Sequence, residues 1–187
     1  MSLEQKLNEN EIKKILIVDD TQANIEAAKQ YFEQVEKLGV KVEYASNAKE
    51  AKEKIKSAYE AKEKYSMVLS DLTMEEPKSG LEVVSEAYRH FGRGFIVTGY
   101  NYDNPGHGHG PLTSVYPMRG CGSTIRGKKE DSAVWGAAFE YALEYLEAPH
   151  SKALTESMQR YETFVRQPMA DYAIDLIMIQ FRDLTRQ

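Results

Sequence analysis

Ile15-Leu16-Ile17-Val18-Asp19-Asp20 is the stretch on which the fold reading turns. Four aliphatic residues in succession suit a strand buried on both faces, as in a parallel sheet, where one-sided alternation disappears. Two aspartates come where such a strand would end. The arrangement returns downstream: Met67-Val68-Leu69 leads to Ser70-Asp71, and Phe95-Ile96-Val97 leads to Thr98. Between these runs the apolar spacing is helical. Ile25, Ala28, Phe32, Val35 and Leu38 precede Gly39, a C-terminal cap. Residues 48–64 carry Ala51, Ile55 and Ala58, with Tyr65 beyond, as a narrow stripe in a charged helix, and Gly80 opens a helix through Leu81, Val83, Val84 and Ala87. Residues 40–45 alternate as a strand, residues 123–127 read as a short fifth strand, and residues 133–146 form a strong helix with Val134, Ala138, Tyr141, Ala142 and Tyr145 on one face. Strands alternating with helices predict an α/β fold: a doubly wound five-stranded parallel sheet with flanking helices over residues 12–148, after a lead-in of residues 1–11.

Composition narrows the function classes. The 187 residues are 42% hydrophobic, enough for one core without a disulfide or structural metal. The net charge of -5 argues against broad nucleic-acid binding, which draws on Lys and Arg meeting phosphates. Cys121 is the only cysteine, so no intrachain disulfide forms and a reducing compartment fits. The N-terminus lacks the apolar stretch of a signal peptide, and no segment approaches the roughly 18 apolar residues of a membrane span. The expectation is a cytoplasmic, soluble protein.

In an open parallel sheet, function gathers outside the carboxyl ends of the strands. There the sequence places Asp19 and Asp20, Asp71, Thr98 and the Lys128-Lys129 pair. Three carboxylates at one sheet edge repel unless a cation joins them or they take up protons. Mg2+ suits them, being hard and favouring carboxylate oxygen at about 2.1 Å. A hydroxyl and an ammonium group from two further strands suit an incoming phosphoryl group. Each piece alone has a bland reading: a helix-capping aspartate, or a threonine at a strand end. Their common placement at strand ends carries the argument.

These segments resemble the receiver domain of bacterial two-component response regulators. Residues 15–24, with Asn24 after the acidic pair, resemble the family's opening segment. Val68-Leu69-Ser70-Asp71-Leu72-Thr73-Met74 resembles its phosphoacceptor segment, followed by Pro77 and Gly80, and Ile96-Val97-Thr98-Gly99 resembles its fourth strand. The resemblance implies a flavodoxin-like fold and a signalling switch rather than a classical enzyme. Asp71 would take a phosphoryl group from a histidine kinase or phosphotransfer protein. Mg2+ would be held by Asp19, Asp20, Asp71 and the backbone carbonyl of Thr73, and Thr98 would turn its hydroxyl onto a phosphoryl oxygen. Lys128 would supply the counter-charge by counting forward from Gly120-Cys121, and a one-residue shift would give Lys129 or Arg126. A phosphatase of the haloacid type is disfavoured, because it needs a second Asp where Thr73 stands.

The sequence departs from the family after Thr98. Residues 100–117 carry clustered Gly and Pro, so a long loop or a much shortened helix is expected instead of the usual helix. No aromatic switch residue precedes the lysines. This departure keeps a second reading open, a pseudo-receiver acting as an interaction scaffold. His107 and His109 are two potential ligands without a third nearby, and read as a polar loop. From Pro149 onward the chain predicts a helical hairpin. Leu154, Met158, Tyr161 and Val165, with Phe164 beside them, form its first stripe, and Pro168 breaks it. A second helix over residues 169–184 is too apolar to stand in water, so the extension packs on the receiver or dimerises.

Overall fold

Ile15, Leu16, Ile17 and Val18 are all fully buried, and they form the body of the first strand, β1 (Lys14–Val18). The computed structural model describes residues 1–99, 111–117 and 122–165. Before β1 lies a short helix, α1 (Leu3–Glu9), within the expected lead-in. Its capping box joins Ser2 and Gln5, and Leu7 is buried. After β1 come α2 (Gln22–Glu36), β2 (Lys41–Ala45), α3 (Ala48–Glu60), β3 (Met67–Ser70), α4 (Ser79–Arg89) and β4 (Arg93–Thr98). Gly39 turns the chain from α2 into β2 at φ +87, a left-handed conformation that glycine adopts without a Cβ penalty. The chain continues through β5 (Leu112–Pro117), β6 (Ser123–Arg126), α5 (Ser132–Glu147) and α6 (Pro149–Val165).

The six strands form one sheet in the order β2-β1-β3-β4-β5-β6. β1 pairs in parallel with β2 and β3, and β3 with β4. β5 is antiparallel to both of its neighbours, β4 and β6. The expected five parallel strands are therefore present as β1, β2, β3, β4 and β6, and the fold is the flavodoxin-like α/β fold. A sixth strand is wedged into it antiparallel.

The loop expected over residues 100–117 is corrected here, since residues 112–117 are β5. Its stretch Leu112-Thr113-Ser114-Val115-Tyr116 is rich in β-branched and aromatic residues and is bounded by Pro111 and Pro117. Pro117 is the last residue of the strand, a position where a missing N–H costs the ladder little.

Alternate residues of the sheet face two layers. Ile15, Ile17, Met67, Leu69, Phe95, Val97 and Val115 pack on α2 and α5, meeting Phe32, Trp135 and Phe139. Leu16, Val18 and Val68 pack on α3 and α4 through Ala51, Ile55 and Val83. The remainder of that second face is Ile96 and Tyr116, clustered with Leu72, Val84, Tyr88 and Phe91 and with Met158 of α6; Leu154 packs against the same cluster. The first helix of the extension thus packs on the core of the sheet. Burying a side chain such as Met158 is worth about 1.5–3 kcal/mol. The second tail helix, His107, His109, Cys121 and the side chains of Tyr161, Phe164 and Val165 lie outside the described residues.

Candidate functional site

The backbone ladder continues past the strand ends and so fixes the acidic residues. The Asp19 N–H donates to the Ala45 carbonyl, and the Asp71 N–H to the Val18 carbonyl at 2.8 Å. Asp19 is fully buried. Its Oδ1 accepts from the Thr21 N–H and from Asn24 Nδ2, each at 2.9 Å, which ties it to the first turn of α2. Asp20 beside it is exposed. Carboxylate oxygens of Asp19, Asp20 and Asp71 lie within 4.8 Å of one another.

A lysine joins two of the three. Lys129 Nζ stands 2.6 Å from Asp19 Oδ2 and 2.6 Å from Asp71 Oδ1. Lys129 is buried, and its backbone carbonyl accepts the indole N–H of Trp135 at 2.8 Å, so α5 sets where it stands. Lys128 is exposed. The lysine that meets the acidic cluster is therefore Lys129, which corrects the count favouring Lys128. Arg126 is exposed on β6. The inserted strand moves β6 one place outward, and the turn after it brings residue 129 rather than 128 back to the carboxylates.

The surroundings of Asp71 shift its titration upward. Burial raises its carboxyl above the ordinary range and outweighs the Lys129 charge that lowers it, while the charge of Asp19 adds to the rise. Its backbone is held closely as well. Ser70 Oγ donates to the Asp71 carbonyl, and α4 begins against that same carbonyl. A Cβ on Gly80 would stand 1.8 Å from the Asp71 carbonyl oxygen, so only glycine fits there.

The loop after Asp71 is pinned at several points. The Gly80 N–H donates to the Leu72 carbonyl, the Met74 N–H to Ser79 Oγ, and the Glu75 carboxylate accepts the Ala48 N–H at the start of α3. Thr73 lies exposed in this loop, two residues beyond Asp71. Thr98 is buried at the end of β4, the strand next to β3.

Three hard carboxylates held together at a sheet edge fit a divalent cation such as Mg2+ by the chemistry of their donors. One ammonium stands against two of them, and a hydroxyl lies one strand away. Residues 15–101 match the response regulator receiver domain. The match takes in Asp19, Asp20, Asp71 and Thr98, covers just under half of the chain, and ends before β5, β6 and Lys129. No curated protein matches the chain. A receiver domain is a signalling domain of two-component systems, working with kinase or phosphotransfer partners. Among the described residues no helix is long and apolar enough to cross a membrane.

Sequence reasoning missed the site's supports. Asn24 is marked by its place after the acidic pair but without its role as a donor to Asp19, Trp135 acts through a hydrogen bond that no spacing announces, and the register of the lysine depends on a strand whose flanking Gly and Pro read as loop.

Proposed function

We propose that this receiver domain is a phosphoacceptor switch, modified on Asp71 by a histidine kinase or phosphotransfer protein with Mg2+ as cofactor. The observation that carries the reading is the Lys129 ammonium bridging Asp19 and Asp71 inside a three-carboxylate cluster. Asp19, Asp20 and Asp71, with the Thr73 carbonyl, would hold the metal, which when bound offsets charge on the transferring oxygens. Asp71 is the nucleophile. Its carboxylate oxygen forms the new O–P bond as the N–P bond of a phosphohistidine breaks, and the bonding pair stays on the departing imidazole nitrogen. Lys129 meets the negative charge gathered on the phosphoryl oxygens, and Thr98 donates its hydroxyl to one of them.

Intact-mass spectrometry after incubation with acetyl phosphate tests this. A phosphoryl adduct is expected on the wild type with Mg2+, and none without Mg2+ or on Asp71→Asn. A folded wild type that stays unmodified by acetyl phosphate and by a kinase would sink the reading. The second reading, a scaffold that keeps the fold without the switch, is favoured by one observation: β5 stands directly after the segment where the family carries a helix.

A further inference from the structure

β5 brings a second hydroxyl beside Thr98. In the antiparallel pairing of β4 with β5, Thr98 stands opposite Ser114, as Ile96 stands opposite Tyr116. Directly opposed residues share a face of the sheet, with Cβ atoms about 4.5–5.5 Å apart. That face is the one on which Ile96 and Tyr116 cluster with Leu72 and Met158. Ser114 is 1% exposed, and its hydroxyl has no hydrogen-bond partner among the described residues. The neighbouring Thr113, also buried, shows the ordinary outcome, since its hydroxyl donates to the Gly127 carbonyl at 2.9 Å. On the far side, Ser114 is opposed by Thr124, which is exposed on β6 and open to water.

A buried hydroxyl without a partner is disfavoured unless another state of the protein supplies one. We propose that Ser114 is a positioning residue for the phosphoryl group on Asp71, acting through Thr98. This rests on the phosphoacceptor reading. When Thr98 donates its hydroxyl proton to a phosphoryl oxygen, the lone pairs of its Oγ1 are left as acceptors. Ser114 donates into them, and the chain Ser114 to Thr98 to phosphoryl oxygen strengthens along its length. Ser114 therefore holds Thr98 in the turned-in rotamer in the modified state and does nothing for the unmodified one. The resulting bias resides in the inserted strand, which the family match does not reach.

The test is titration of the full chain with beryllium fluoride in saturating Mg2+, followed by the emission of Trp135, the only tryptophan. Wild type, Ser114→Ala, Thr98→Ala and the double variant are compared, with the melting temperature of each measured without ligand. Ser114→Ala is expected to weaken binding of the phosphoryl mimic roughly fivefold, the worth of one hydrogen bond. It should leave the unliganded melting temperature unchanged or slightly raised, and it should have no effect once Thr98 is alanine. Ser114→Ala with wild-type affinity, or with the same loss in the Thr98→Ala background, overturns the proposal. A folded wild type that binds no beryllium fluoride, by emission or by thermal shift, overturns the phosphoacceptor reading and this proposal with it.

Discussion

Lys128 and Lys129 are neighbours in sequence with opposite surroundings, one in water and the other buried against two carboxylates. The difference is measurable by substitution. Removing the Lys129 charge leaves Asp19 and Asp71 facing each other without a cation, and breaking a buried pair in this way costs about 3–5 kcal/mol. Lys129→Met is therefore expected to lower the urea midpoint of the metal-free protein substantially, and Mg2+ to restore much of the loss. Lys128→Met should unfold within about 0.5 kcal/mol of the wild type. Equal effects of the two substitutions would contradict the placement of Lys129. Asn24 is the comparable case among neutral residues. Its amide donates to a fully buried Asp19 oxygen, so Asn24→Ala should cost about 1–3 kcal/mol and weaken Mg2+ binding in a calorimetric titration.

The joint between β3 and α4 shows how little room the site leaves at the level of elements. Because a Cβ at residue 80 would press on the Asp71 carbonyl, Gly80→Ala must push α4 away from β3 or distort the Asp71 backbone. A destabilisation of about 1–3 kcal/mol is expected in chemical denaturation, with a loss of the acetyl phosphate adduct that exceeds any unfolding. The edge strand β2 carries a different device. Glu43 is held down to about 2. Its burial opposes the shift, and the Tyr65 hydroxyl with the ammonium groups of Lys41 and Lys14 outweighs that burial. A carboxyl whose folded value lies below its ordinary 4.5 contributes stability that is complete above pH 4.5. That contribution is lost as the pH falls toward about 2. Glu43→Gln is accordingly expected to flatten the acid limb of a stability–pH profile between those values and to leave its neutral part shallow. An unchanged acid limb would show that the cluster contributes nothing there.

On the scale of the whole molecule, the unusual feature is how the second face of the sheet is covered. Ile96 and Tyr116 are buried with Met158 in one cluster, with Leu154 against it, so α6 closes a region that α3 and α4 leave open. Gln159 of α6 also donates to Glu11, and Glu162 pairs with Lys64, which fixes the helix at the amino ends of the strands. A chain ending at Glu147 is expected to melt several degrees lower and to bind a hydrophobic dye at neutral pH. Melting and dye binding equal to those of the full chain would mean that α6 adds nothing to the core. Light scattering on the two chains tests the separate expectation, made from the sequence, that residues 169–184 drive dimerisation: a monomeric full chain would refute it.

The sequence by itself determined the five parallel strands and the acidic cluster. Both arise from local signals: uninterrupted aliphatic runs mark strands buried on two faces, and an Asp directly after such a run must lie at the carboxyl edge where parallel strands bring their ends together. Asp19, Asp20, Asp71 and Thr98 were legible for that reason. The direction and existence of β5 were not. Flanking Gly and Pro signal an interruption without specifying the element beyond it, and a short strand is selected by its neighbours rather than by its own propensity. Tertiary structure alone decided which of two adjacent lysines turns inward, since that depends on the path from β6 into α5 and on the bond from Trp135 to the Lys129 carbonyl. It also set Ser114 beside Thr98, a pairing fixed by strand register, which one-dimensional spacing does not carry.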